Sequence, residues 1–313
     1  MSDAILRNWD KGNVARWGKE PLLIEHGLHE NPLFTRQALA ELIQRFPKEH
    51  YALVHTGNRG DAKRTWREGE VGDLNGQEVI EAIGAGRMWL NLRNVKTVDQ
   101  RYGELLDAIF EEMARRVPRF DTFNRGMGIL ISSPNAQVYY HADLPGQSLW
   151  QISGRKRVYL YPAAEPYLPQ AELEKIALFG VEVDMRYDPL YDRDALVFDL
   201  EPGQMLTWPL NAPHRVENYD VLNISVTTEH WTDEIRRSQM VTVANGILRQ
   251  HFGIQPGGRS LHGPVFLAKA ALQAGWRRSP WMKRERRKRR PIDFRLARGA
   301  PGTIIDIPAY VVR

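Results

Sequence analysis

Apolar and polar residues alternate through the middle of the chain, and this pattern predicts strands. Short runs with period-two alternation lie between residues 126 and 232, separated by turn residues. The runs are GILISS, QVYYHAD, SLWQIS, KRVYLYP, ALVFDL, QMLTWP, HRVENY and VLNISVTTEHW. Because no long helix is obvious between most of them, they predict an antiparallel sandwich or jelly roll. Residues 163–194 are predicted to be a longer, irregular insertion.

Helical spacing dominates on both sides of this zone. Thr35 is placed to cap a helix whose apolar residues recur at helical intervals and which Pro47 ends. The same spacing predicts helices over 76–84, 101–117, 233–251 and 264–275. We therefore predict a mainly β core with three regions in the chain. They are a helix-rich region 1–120 packing on the core, the β core 121–232 and a helical region 233–313.

Composition and charge narrow the possible functions. The chain has no cysteine, which excludes disulfides, thiolate zinc sites, iron–sulfur clusters and cysteine nucleophiles. The net charge of the chain is +5. Residues 276–290 hold nine basic residues and one acidic residue, so the rest of the chain has a net charge of −3. The charge of the rest of the chain therefore does not favour nucleic-acid binding, although the basic segment itself does. The charged N-terminal segment lacks a secretory apolar run, which favours a cytoplasmic protein.

A metal site is predicted from residues in two of the β runs. His141 and Asp143 end one run as a His-x-Asp pair, and positions i and i+2 of a strand share a face. His214 opens a later run and is the best candidate for a third ligand. Two imidazoles and one carboxylate leave coordination positions open, as in the facial triad of non-haem Fe(II) oxygenases. Taken singly, each histidine is more often a core residue.

The spacing around these residues matches cupin motifs. From Gly203 the chain reads Gly-x5-Pro209-x4-His214-x3-Asn218, which is the complete second cupin motif. The first motif is present in altered form, with Asp143 in place of a histidine, Gln147 in place of a glutamate, and Asn135 at the usual opening glycine. On these residues the segment 126–232 resembles the JmjC-like, or cupin-8, branch of the cupin superfamily. The resemblance implies a double-stranded β-helix with helical regions at both ends.

The resemblance also implies Fe(II) as the metal and 2-oxoglutarate as a cosubstrate. Family members grip its distal carboxylate with a lysine in a Gln-Ile-x-Gly-x-Lys stretch, which here ends at Lys156. Strand phase independently puts Lys156 in a row with Val158 and Leu160, so an inward aliphatic face would bury its ammonium. A strand-end lysine in solvent is the competing interpretation.

Further cosubstrate contacts are predicted with less support from the sequence. In VLNISVTTEHW, the polar row of Asn223, Ser225 and Thr227 faces either the interior or solvent. The family often has a polar residue three positions before the first histidine, where this chain has Val138. Tyr139 or Ser132 could take its place.

The sequence thus favours a 2-oxoglutarate-dependent dioxygenase that hydroxylates, or demethylates by hydroxylation, an unidentified protein or small-molecule substrate. One alternative is a non-catalytic cupin-like module that binds a metal or small acid. Its basic tail would recruit nucleic acid or another acidic partner. A cosubstrate-free cupin dioxygenase or isomerase is a third, which Lys156 disfavours.

Two expectations concern partners. The segment 277–290 is predicted either to be a solvated segment or to contact nucleic acid or anionic lipid without sequence specificity. Residues 264–275 could form a homodimer interface.

Overall fold

The computed structural model describes residues 4–57, 65–180, 185–280 and 290–311. The helices are α1 Lys11–Arg16, α2 Arg36–Gln44, α3 Gly76–Ala85, α4 Gln100–Arg116, α5 Gln170–Phe179, α6 Asp233–Phe252 and α7 Gly263–Arg278. The strands are β1 Leu22–Glu25, β2 Tyr51–Thr56, β3 Trp66–Glu70, β4 Met88–Leu92, β5 Phe123–Ser132, β6 Gln137–His141, β7 Gly146–Ser153, β8 Lys156–Leu160, β9 Leu196–Leu200, β10 Gln204–Thr207, β11 His214–Asn218, β12 Asn223–Trp231, β13 Ile292–Leu296 and β14 Ile304–Tyr310.

The strands predicted from alternation form two facing sheets with jelly-roll topology. Strands β6, β11, β8 and β9 make the smaller sheet, while β10, β7, β12 and β5 lie side by side within the larger one. All of these neighbours pair antiparallel. Strands β5 to β8 alternate between the large and the small sheet, β9 stays in the small sheet, and β10 to β12 alternate again. This is the strand order of a double-stranded β-helix, which confirms the predicted fold class. The sheets remain open at their edges.

The space between the two sheets is apolar at its centre. Leu149 and Leu206 from the large sheet meet Val158, Leu160 and Val216 from the small one. The row of β8 that contains Val158 and Leu160 therefore points inward, which strand phase alone had left open. This interior packing holds the sheets apart at a distance set by side-chain size.

The helices α2, α3 and α4 cover the outer face of the large sheet. Leu39 of α2, Val79 of α3 and Phe110 of α4 share one core with Ile129 of β5 and Val226 of β12. Thr35 caps α2 through a hydrogen bond from the amide of Ala38, as predicted. The helices predicted over 76–84 and 101–117 are confirmed as α3 and α4, and those over 233–251 and 264–275 as α6 and α7.

The region 1–120 also contains strands that the periodicity did not reveal. Strand β1 pairs with β10, and β4, β2 and β3 extend the large sheet beyond β5. The region 233–313 likewise contributes β13 and β14, with β13 pairing in parallel with β3. One sheet therefore crosses all three predicted regions, whose boundaries stay predictions.

The insertion 163–194 is not wholly irregular. Its described part contains α5 and a 3-10 helix, Pro189–Asp194. Leu173 and Ile176 of α5 pack on Tyr140 and Tyr161, which point away from the sandwich interior. The helix was missed because its apolar stripe is short. It covers the outer face of the small sheet.

Most of the basic segment 277–290 lies outside the described residues, so its predicted contacts stay predictions. Arg277 and Arg278 end α7, and the Arg290 guanidinium lies 5.1 Å from the centre of the Trp66 ring. Within the described ranges, no helix is both long enough and apolar enough to cross a bilayer.

Candidate metal and cosubstrate site

The predicted metal ligands meet at one end of the sandwich. Strand β6 ends at His141 and β11 begins at His214, and these two residues are paired across the small sheet. Asp143 follows two residues after β6. One ligand atom from each residue lies within 4.8 Å of the others. The structure therefore brings together the three side chains that the motif spacing singled out.

Backbone carbonyls orient both imidazoles toward the shared point. The Nδ1–H of His141 donates to the carbonyl of Tyr139 at 2.7 Å, and that of His214 donates to the carbonyl of Ala212 at 3.1 Å. These bonds leave each Nε2 with a lone pair. The Nε2 atoms lie 4.0 and 3.3 Å from Oδ2 of Asp143. Hydrogen bonds of this kind fix the tautomer in metal-binding histidines.

The convergence of these atoms fits a cation. No donor from the described parts of the chain hydrogen-bonds to the buried Oδ2 of Asp143. Three lone pairs thus face one point, an arrangement that a divalent ion of borderline softness satisfies. Asn211 donates to the backbone carbonyl of Asp143 at 2.6 Å and holds the turn that carries it. The residues present therefore fit a facial-triad metal.

Burial shifts the pKa values of two of these ligands. It lowers the pKa of His214 well below its ordinary value, and the neighbouring His141 lowers it further. Burial also raises the pKa of Asp143. Neutral imidazoles are the form that binds metals, so a cation competes with few protons for His214.

Lys156 is buried in the same interior, at the end away from the triad. Its exposed fraction is 1%, and burial lowers the pKa of its ammonium to about 7. Within the described ranges no carboxylate lies within ion-pair distance of it. Register pairs Lys156 with Asn218 and Leu160 with His214, so the two Cα levels are about 13 Å apart at ~3.3 Å per residue. The side chain of Lys156 therefore points into the interior and not into solvent.

The polar row of β12 faces the sandwich interior, while Ile224 and Val226 face the helices. Ser225 Oγ donates to Oε1 of Gln151 at 2.7 Å, and Gln151 Nε2 donates to Oδ1 of Asn223 at 2.8 Å. Neutral polar atoms of β7 and β12 therefore lie on the interior face of the large sheet. Cosubstrate contacts by Ser225 and Thr227 stay predictions.

Tyr139 lies where β6 is irregular. The pairing of β6 with β11 shifts register between His214 and Val216, which breaks simple alternation around Tyr139. The hydroxyl donates to the carbonyl of Thr65 at 2.9 Å, and the ring lies 6.4 Å from that of Trp66. Its predicted cosubstrate contact stays a prediction. Ser132, the other substitute, accepts a hydrogen bond from Nδ2 of Asn218 at 2.8 Å.

Sequence reasoning assigned no role to Glu229, which belongs to the inward polar row. Gln147, which replaces the glutamate of the first cupin motif, stands outside the triad and donates from Nε2 to Oε1 of Glu229 at 3.3 Å. The signal available in the sequence was the position of Glu229, two residues beyond Thr227 on one strand face.

The known proteins that match this chain are solved structures. No protein-family model matches the chain, and no curated protein matches it. Among solved structures, it is similar to the Escherichia coli ribosomal oxygenase YcfD at 15% identity, covering 89% of this chain and 70% of that one with a TM-score of 0.46. YcfD in complex with cobalt and 2-oxoglutarate matches at 16% identity, 88% and 68% coverage and a TM-score of 0.46. At these values the likeness carries no inference about this chain.

Proposed function

We propose that the chain is an Fe(II)- and 2-oxoglutarate-dependent oxygenase acting on a C–H bond of a protein or small-molecule substrate. One observation carries the proposal: the convergent triad and a buried ammonium lie in the same interior. A metal alone would explain His141, Asp143 and His214. It would not explain Lys156, which burial penalises unless an anion joins it.

Each residue has a defined part in this proposal. His141 and His214 offer Nε2, and Asp143 offers Oδ2, from one side of the ion. Lys156 pairs with the far carboxylate of the keto acid, and the neutral row of β12 lines the path between. The apolar side chains around Leu149 exclude water from the interior. When bound, the ferrous ion and keto acid supply the oxidation of a C–H bond by O₂, coupled to decarboxylation to succinate.

Metal binding and succinate formation together test the proposal. We expect the wild-type protein to bind Mn(II) in calorimetry and to form succinate from 2-oxoglutarate only with Fe(II) and O₂. Asp143→Ala and His214→Ala remove a ligand and should lower metal affinity by at least about 100-fold, with loss of succinate. Asp121→Ala and His262→Ala, at exposed positions, are the matched controls and should behave as wild type.

Two results would contradict the oxygenase. Full succinate formation by Asp143→Ala would reject the ligand assignment. Metal-dependent binding of 2-oxoglutarate without any succinate, coupled or uncoupled, would favour the non-catalytic binding module instead.

A further inference from the structure

A cavity of about 240 Å³ lies where the helices α5, α6 and α7 meet the ends of two strands of the large sheet. Strand β5 begins and β12 ends at its wall, and there Phe123 and Trp231 are partners in the strand register. Leu178 of α5, Val243 of α6 and Trp276 of α7 also line it and belong to one apolar cluster. Five elements therefore surround the cavity, and three of them contribute an aromatic ring.

Three side-chain amides in this cavity have no partner in the protein. Gln273 of α7 is only 5% exposed, yet within the described ranges no group hydrogen-bonds to its side chain. The amides of Gln239 on α6 and Asn124 on β5 line the cavity and are unpaired in the same parts of the chain. A buried amide costs free energy unless its donors and acceptors are satisfied. Fold stability therefore does not account for Gln273, whose amide is available to a ligand in the cavity.

The charge at the rim of the cavity is positive. Arg236 of α6 and Arg277 of α7 line it, and none of the described residues that line it is acidic. Arg236 forms an ion pair with Asp233, whereas no acid in the part of the chain that the structure describes pairs with Arg277. Arg277 is also the first residue of the basic segment 277–290. The α7 side of the rim therefore favours an anionic group.

Aromatic rings, free amides and an unpaired guanidinium together fit a nucleotide. A base stacks on aromatic rings such as those of Phe123 and Trp231, and its edge both donates and accepts hydrogen bonds, as the amide of Gln273 does. Its phosphate is a preferred partner of a guanidinium such as that of Arg277. A lipid headgroup would use only the guanidinium. A duplex hides the faces of its bases, so the fit is to a single strand.

We propose that this cavity binds one nucleotide of a single-stranded nucleic acid. The base lies against Phe123 and Trp231, the edge of the base bonds to Gln273, and the phosphate pairs with Arg277. The proposal adds a base-binding site to a basic segment whose sequence predicted only non-specific contacts. It is independent of the proposed oxygenase activity, because none of these residues belongs to the triad and Lys156 takes no part.

A fluorescent base tests the proposal on the full-length protein. The probe is an oligouridine strand with 2-aminopurine at its centre, because the fluorescence of this base falls when it stacks on an aromatic ring. We expect the wild-type protein to quench the fluorescence at least about twofold at saturation. Anisotropy of a fluorescein label on the same strand measures binding separately from stacking.

Matched variants locate the base in the cavity. Phe123→Ala and Gln273→Leu should abolish the quenching and weaken binding at least about fivefold, because each removes a contact with the base. Phe252→Ala changes another exposed phenylalanine and should behave as wild type. Arg277→Gln should weaken binding more than Arg278→Gln, which removes the same charge from a residue outside the cavity. Leucine has nearly the size of glutamine and Phe123 is exposed, so both cavity variants should fold.

Several outcomes would overturn the proposal. Unchanged quenching in Phe123→Ala, or binding without quenching in the wild-type protein, would place the base elsewhere. An RNA duplex that binds as tightly as the strand would show that only backbone charge is recognised. Free adenosine monophosphate that competes as well as the unlabelled strand would assign the cavity to a free nucleotide. Binding of phosphatidylglycerol vesicles but not of the strand would assign the arginines to a membrane surface.

Discussion

At the scale of single residues, the most informative side chain is Lys156. It ranks among the largest fully buried side chains, and the pKa of its ammonium falls to about 7. Its neighbours in register, Asn218 and Leu200, carry no charge. The positive charge is therefore unstable in the free protein above neutral pH. An anionic ligand would reverse this, since it stabilises the ammonium form.

Because binding of 2-oxoglutarate is coupled to protonation of Lys156, its affinity should depend on pH. Above pH 7 the free protein holds Lys156 as the neutral amine, so binding the dianion must take up a proton. The affinity should consequently fall with rising pH, by up to about tenfold per unit, until the pKa in the complex is passed. Calorimetry at saturating Mn(II) between pH 7 and 9 measures the slope.

Lys156→Met should bind 2-oxoglutarate weakly, with a flat pH profile over that range. Lys11→Met, at an exposed position of α1, serves as the control and should retain the wild-type slope. A steep slope in Lys156→Met would assign the proton to another group.

The sequence predicted the site in part. His141, Asp143 and His214 could be found because fixed spacings in the chain carry them, and Lys156 because the inward face of β8 is aliphatic. Tyr139 could not be placed, because the register shift in β6 interrupts the alternation on which the prediction depended. Glu229 had no motif to mark it. Its contact with Gln147 depends on the pairing of β12 with β7, which only the structure shows.

At the scale of elements, the contact between α2 and α3 offers a sharp test of packing. A Cβ added to Gly76, at the start of α3, would lie 1.9 Å from the carbonyl oxygen of Ala40 in α2. Gly76→Ala therefore forces the helices apart and should lower the free energy of unfolding by about 1–3 kcal/mol. Chemical denaturation measures the change.

The same helix contains its own control. A Cβ on Gly84 would meet only Leu222, at 3.9 Å. Gly84→Ala should thus stabilise the protein by about 0.5–1 kcal/mol, because it restricts the unfolded chain. Equal effects of the two substitutions would show that the close approach of α2 and α3 is relaxed in solution.

Elements were predictable where the pattern was strong. The jelly-roll strands and the longer helices alternate or repeat over enough residues to be recognised. The short runs of β2 and β4, YALVHT and MWLNL, are apolar on both faces and do not distinguish strand from helix. Strand β14 is mostly exposed, so burial left little pattern in its sequence.

At the scale of the whole molecule, the large sheet joins the beginning of the chain to its later part. Phe294 of β13 is fully buried, and its ring occupies the space in which a side chain at residue 69 would lie, next to Gly69 of β3. Arg67 bonds to Asp293 across a separation of 226 residues. The three predicted regions therefore share a hydrophobic core.

We expect Phe294→Ala to destabilise the entire chain. The lost ring leaves a cavity in the core and should lower the free energy of unfolding by about 3–5 kcal/mol. Tyrosine and tryptophan signals should shift together in one transition. Ile305→Ala, at an exposed position of β14, should change stability by less than about 1 kcal/mol. An early, separate transition of residues 292–310 in the Phe294→Ala variant would contradict this shared core.

The parallel pairing of β3 with β13 also orders events during biosynthesis. Translation delivers β3 long before β13, so the nascent sheet has an open edge at Trp66–Glu70 while the jelly roll is being made. Such an edge invites pairing with other chains. A charged side chain on this edge, Glu68, is expected to disfavour pairing with a second copy of the same strand during that interval.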